Sequence, residues 1–167
     1  MLRRVPMIIT FAVLIIASNV ALSDSHFGPS GGHEGSEFVD IVPPGARITE
    51  IRIHSGERID AIQVIYAGAD GRPIEMPRHG GSGGGLEVLR LGRGEYINEI
   101  KGRYGARLDS LTIGVEGKRA DWTGFHAGGS GGSADFRYQA PYGMEIIGFR
   151  GRSGAELDAI GVVLRKR

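Results

Sequence analysis

Three aspartates recur in one local pattern at a fixed interval. "GERID" at 56–60, "GARLD" at 105–109 and "GAELD" at 154–158 each set a glycine four residues before an aspartate, and each copy follows the last by 49 residues. A carboxylate accepts hydrogen bonds from two neighbouring hydroxyls, while backbone N–H groups of a tight turn donate in return. Glycine at the start of such a turn permits dihedrals closed to other residues and lets a ligand approach the backbone. The same residues also suit an aspartate that bonds only its own turn, with no ligand. A second triplicate runs alongside: "GGHEG" at 31–35, "GGSGG" at 80–84 and "GGSGG" at 128–132. Taken alone, a glycine cluster of this kind reads as a linker or a turn.

The elements that must hold these residues repeat as well. "GARITEIRIHSGERIDAIQVIY" from 45, "GEYINEIKGRYGARLDSLTIGV" from 94 and "GMEIIGFRGRSGAELDAIGVVL" from 143 align without a gap. Ile48, Ile97 and Ile146 coincide, as do Ile51, Ile100 and Phe149, and Ile62, Leu111 and Ile160. Apolar positions two or three apart, alternating locally as in "IRIH", predict strands, and no helical periodicity appears beyond the N-terminal segment. A unit of about 49 residues with four short strand candidates cannot bury its own sheet, so three units must share one core. The expected architecture is therefore all-β, with three small sheets about a pseudo-threefold axis and repeats at about 31–79, 80–127 and 128–167. A propeller is disfavoured because it typically needs at least four blades.

Residues 1–23 predict an export signal, with Arg3 and Arg4 ahead of the apolar run "MIITFAVLIIA" and the small-residue pattern "ALS". That run falls short of the ~20 residues of a membrane span, and no later segment suits one. The expected mature domain, 24–167, is secreted to the extracellular space or periplasm. Losing the signal removes two arginines and no acids, leaving 18 basic against 19 acidic residues. Near neutrality there is no bulk electrostatic attraction to nucleic acid. The chain has no cysteine, which excludes disulfides and thiolate metal sites. His26, His33, His54, His79 and His126 lack metal-ligand spacing, and the glycine clusters lack the Lys-Ser or Lys-Thr of a phosphate loop. No metal or cofactor is expected.

The strings "GPSGGHEG", "GEYINEIKGRYG" and "IIGFRGRSGAELDAIGV" carry a resemblance to the jacalin-related lectins over about 28–167. Within that family the triplicated motifs resemble mannose binders with a site in every repeat. The resemblance implies a β-prism of three four-stranded Greek-key sheets and a metal-independent, non-catalytic sugar binder. It implies that Asp158 is the carboxylate of the best-matched site, with Gly154 opening the turn, the amides of Ala155 and Glu156 donating, and Gly35 completing the wall. Symmetry extends this to Asp60 with Gly56, Glu57, Arg58 and Gly84, and to Asp109 with Gly105, Ala106, Arg107 and Gly132. The implied partners are mannose- or glucose-type glycans and glycoproteins, since the galactose-preferring branch depends on cleavage within the first glycine cluster and this chain continues through it. Whether the protein forms a homodimer is left open.

This chain departs from the family's multi-site members by carrying Arg58, Arg107 and Glu156 where they tend to have an aromatic residue. Arginines there suit an anionic sugar, but the expected role of all three is a solvated side chain at a loop tip. Glu34 replaces a glycine in the first cluster. Trp122 and Phe125, just before the third cluster, suit an aromatic shelf for a sugar, but the expected role is to cover the core between sheets, and the terminal "RKR" is expected to be solvated. Glycoside hydrolysis needs two carboxylates across one bond, whereas one aspartate per repeat is expected to be held far from the next. A role for the fold alone, as an interaction or toxin-associated module, is the remaining alternative.

Overall fold

The computed structural model describes residues 25–117 and 120–167, with side chains left aside at 120–123. The expected signal segment and the Trp122 side chain lie outside what it describes. Every regular element among the described residues is a strand. Two short strands, β1 (Ser25–Gly31) and β2 (Ser36–Val39), precede a long hairpin of β3 (Arg47–Ser55) and β4 (Ile59–Ala67). After it come β5 (Pro73–Glu75), β6 (His79–Gly80) and β7 (Gly85–Arg90). A second hairpin, β8 (Tyr96–Tyr104) and β9 (Leu108–Gly117), is followed by β10 (Ala120–Gly128) and β11 (Ala134–Gln139), and a third, β12 (Met144–Ser153) and β13 (Leu157–Lys166), ends the chain.

All pairings are antiparallel, and they form two sheets rather than the three expected. One has five strands, with β7, β3 and β4 in order and both β5 and β6 on the outer edge of β4. The other has eight: β1–β13–β12–β8–β9–β10, with β2 on β12 and β11 on β8. The difference rests on one residue pair. Ile146 opposite Ile97 is the sole pairing between β12 and β8, and it fuses two four-stranded groups that are otherwise separate ladders. Because β1 and β2 pair with β13 and β12, the two ends of the described chain complete one group together.

A bulge explains why the apolar residues stand sometimes two and sometimes three apart. Ile48 pairs with Tyr66 and Glu50 with Ile65, which leaves Thr49 as an extra residue in β3. Asn98 in β8 and Ile147 in β12 are extra in the same way. An inserted residue restores the alternation one step late, so Ile48, Ile51 and Ile53 still face one side. That side is the core, where Ile51, Ile100 and Phe149 are wholly buried and Phe125 packs against the cluster. Burying each such side chain contributes about 1.5–3 kcal/mol. The basic terminus is not simply solvated: Arg165 bonds Glu145 at 2.8 Å and the Ala46 carbonyl at 3.0 Å, and Arg167 lies 3.8 Å over the Tyr96 ring.

Candidate functional site

Each Gly-x-x-x-Asp element is a hairpin turn with the aspartate as the second residue of the returning strand. The turns close alike: Gly56 N–H donates to the Arg58 carbonyl at 3.0 Å, Gly105 to Arg107 at 2.9 Å and Gly154 to Glu156 at 3.0 Å. That bond uses the glycine amide and leaves the next two free. Among the described residues, the amides of Glu57 and Arg58, of Ala106 and Arg107, and of Ala155 and Glu156 donate to no acceptor. The sequence-predicted donors are thus unpaired and on the surface, where an external acceptor reaches them.

The glycine clusters seat the carboxylates. A Cβ on Gly84 would lie 2.5 Å from Asp60 Oδ2, one on Gly132 3.0 Å from Asp109 Oδ2, and one on Gly35 would overlap Asp158 Oδ2. The structure therefore brings together Asp60 with Gly84, Asp109 with Gly132 and Asp158 with Gly35. Gly83 and Gly131, which sequence reasoning passed over, meet the Oδ1 atoms of Asp60 and Asp109 in the same manner. Glu34 holds the corresponding place beside Asp158. The second glycine of each cluster has a different duty: Gly32 abuts Ala106, Gly81 abuts Ala155 and Gly129 abuts Glu57, so each loop touches its own aspartate and the turn of a neighbour. The doubled glycine was the available signal for that second contact.

This packing brings the turn tips within side-chain reach of one another, where sequence reasoning expected their middle side chains to stand in solvent. Arg107 Nη1 lies 2.8 Å from Asp158 Oδ1, and its Nε donates to Glu156 Oε2 at 3.1 Å. Arg58 reaches the same Glu156 oxygen at 3.4 Å and stands 3.9 Å from Asp109 Oδ1. The arginines are ion-paired because a neighbouring turn supplies carboxylates within their reach. A cavity of about 280 Å³ opens between Arg58, Arg107, Asp109 and Gly132.

Two further arginines missed in the sequence brace the loops from the strands behind. Arg152 donates to the carbonyls of Glu34 and Gly35 at 2.9 and 2.8 Å, and Arg103 to those of Gly131 and Gly132 at 2.8 and 2.7 Å. Their signal was the shared "GR" just before the turn. The first repeat has His54 at that position, with Nδ1 buried and unpartnered, so the 80–84 loop lacks this brace.

Asp158, the best-matched aspartate, is the most enclosed: 2% of its side chain is exposed, against 12% for Asp109. Burial pushes its carboxyl above the ordinary 3.8, and Glu34 and Glu156 add to this, while Arg107 and Arg152 oppose it. Folding thus favours the protonated form. Its contribution to stability is present below about pH 3.8 and is lost as pH rises through the raised folded value. Asp158→Asn is accordingly expected to melt no lower than wild type at pH 7, with any gap closing as pH falls toward 3.8. Thermal melts across that range check this, and a variant melting several degrees lower at neutral pH would overturn it.

The jacalin-like lectin domain family matches residues 27–163. The agglutinin of Castanea crenata is 38% identical over 150 residues, covering 81% of this chain but 45% of the agglutinin. Horcolin of Hordeum vulgare is 36% identical over 140 residues, covering 80% of this chain and 92% of horcolin. Among solved structures, a mannose-binding jacalin-related lectin of Ananas comosus superposes with a TM-score of 0.71 at 30% identity, over 86% of this chain and 99% of that one. An all-strand fold, three glycine-seated carboxylates and a match across nearly the whole described chain agree: this protein belongs to the jacalin-like lectin family.

Proposed function

We propose that this is an exported, non-catalytic, metal-independent lectin for mannose- or glucose-type glycans, with up to three carboxylate sites on a three-faced β-prism. The observation that carries it is the pair of undonated amides on each hairpin turn, set beside a glycine-seated aspartate three times over. A pyranose edge offers hydroxyls that donate to the carboxylate and accept from the amides, so both halves of the site are used at once. The likeness to a mannose-binding relative favours that sugar class. Enzymatic action is disfavoured because Glu156 and Asp158 hold the same guanidinium, which leaves neither free as an acid or base. Anionic glycans are disfavoured for the same reason, since the arginines that would attract them are already bound by carboxylates.

Isothermal titration with methyl α-mannoside in chelator, with galactose and a sulfated sugar as comparators, tests this. The expected result is metal-independent mannoside binding at about millimolar affinity per site, with no heat from galactose. Absence of binding to any of these sugars by folded protein would favour a role for the fold alone.

A further inference from the structure

The three turns are alike in backbone and unlike in charge. Their middle residues are Arg58, Arg107 and Glu156, and loop packing sets each turn against another turn's aspartate. Gly32 abuts Ala106 and brings the second turn to the Asp158 site; Gly129 abuts Glu57 and brings the first turn to the Asp109 site; Gly81 abuts Ala155 and brings the third turn to the Asp60 site. Arg107 accordingly lies on Asp158 at 2.8 Å and Arg58 stands 3.9 Å from Asp109. The turn beside Asp60 carries a glutamate, which offers it no cation. Among the described residues no cation pairs with Asp60.

We propose that Arg107 is a built-in occupant of the Asp158 acceptor position, so that Asp158 is closed in the resting protein and Asp60 is the carboxylate that meets the glycan. The proposal rests on the glycan-binding reading above. Arg107 takes the Oδ1 atom that a sugar hydroxyl needs, and its second bond, to Glu156, fixes it there. A guanidinium tethered on an adjoining turn acts at an effective concentration of about millimolar or higher. A single pyranose contact has a dissociation constant of about the same size. Both bonds to the carboxylate are charge-assisted, but the guanidinium adds a full opposite charge and a second anchor on Glu156, so the tethered cation wins. Glu34, standing where the other two clusters have a glycine, crowds the Asp158 site further. The 80–84 loop has glycines at both places and no arginine brace, which leaves the Asp60 site the more open.

A site-resolved titration decides the matter. In ¹⁵N-labelled protein titrated with methyl α-mannoside, the amides of Glu57, Arg58 and Gly84 are expected to shift saturably while those of Ala155 and Glu156 stay in place. Asp60→Asn should abolish the shifts. Arg107→Ala, and Arg107→Gln as a second variant that keeps side-chain length, should make Ala155 and Glu156 respond with at least a tenfold gain in affinity at that turn. Equal responses from all turns in the wild type would overturn the proposal. So would binding that survives Asp60→Asn, a response that appears only after Arg107 is replaced, or Arg107 variants in which Ala155 and Glu156 remain silent. No shift at any turn in either the wild-type or the Arg107-substituted protein would instead count against glycan binding itself.

Discussion

Gly84→Ala is expected to lose mannoside binding while remaining folded. Gly84 sits at φ +70°, and a Cβ there would lie 2.5 Å from Asp60 Oδ2 and 2.6 and 2.7 Å from the Ser55 backbone carbon and nitrogen. Neither the strand backbone nor the carboxylate has space to give, because the same loop meets Asp60 again through Gly83 and its main chain through Gly80. The left-handed conformation costs an alanine about 1–2 kcal/mol and the overlap about 1–3 more. The carboxylate moves off its place beside the Glu57 and Arg58 amides, so affinity should fall at least tenfold. Gly71→Ala separates the two effects. Gly71 has φ +80° with nothing within 4 Å of its Cβ position, so it should cost about 1–2 kcal/mol through strain alone and leave binding intact. Titration and melts of both variants check this, and a Gly84→Ala protein that binds like wild type would remove Asp60 from the site.

Asp40→Ala is expected to be the costliest single polar substitution, at about 3 kcal/mol, or a melting point lower by about 10 °C. Asp40 lies just after β2 and is 4% exposed. Its Oδ2 accepts the Phe149 amide of β12 at 3.1 Å, its Oδ1 pairs with His79 Nε2 of β6 at 2.9 Å, and its own amide donates to the Phe149 carbonyl at 2.8 Å. The Phe38 ring stacks on His79 at 3.9 Å. One carboxylate thus ties an edge strand of the eight-stranded sheet to the five-stranded sheet. Alanine leaves a buried amide and a half-buried imidazole without their acceptor; the unpaired buried donor alone costs about 1–3 kcal/mol, and the imidazole adds less because water reaches part of it. Asp40→Asn keeps one acceptor and should lose less than half as much. A chemical melt of the alanine variant within about 0.5 kcal/mol of wild type would show that water replaces the tie.

Local patterning made the hairpins legible from the sequence. Alternation with an occasional three-residue step marked β3, β8 and β12 and, in hindsight, their bulges at Thr49, Asn98 and Ile147. Gly-x-x-x-Asp marked the turns, and the glycine clusters marked where a loop meets a carboxylate. Asp40 left a weaker trace, an acid inside the apolar run "FVDIV", which single-residue reasoning passed over because its partners lie 39 and 109 residues away.

What the sequence determined by itself is therefore the set of repeating parts: strand, bulge, turn, aspartate and glycine wall, each dictated by bonds and sterics within a few residues. Only the tertiary structure decided how the parts face one another. The Ile97–Ile146 pair joins two ladders into one sheet, Asp40 closes the fold around β12, and Arg107 comes to rest on an aspartate 51 positions onward. Self-similarity predicts three equivalent sites, because it describes backbone that the repeats share. Side-chain reach between turns breaks that equivalence, because an ion pair depends on which charge each neighbour presents, and at Asp60 the neighbour presents none that binds it.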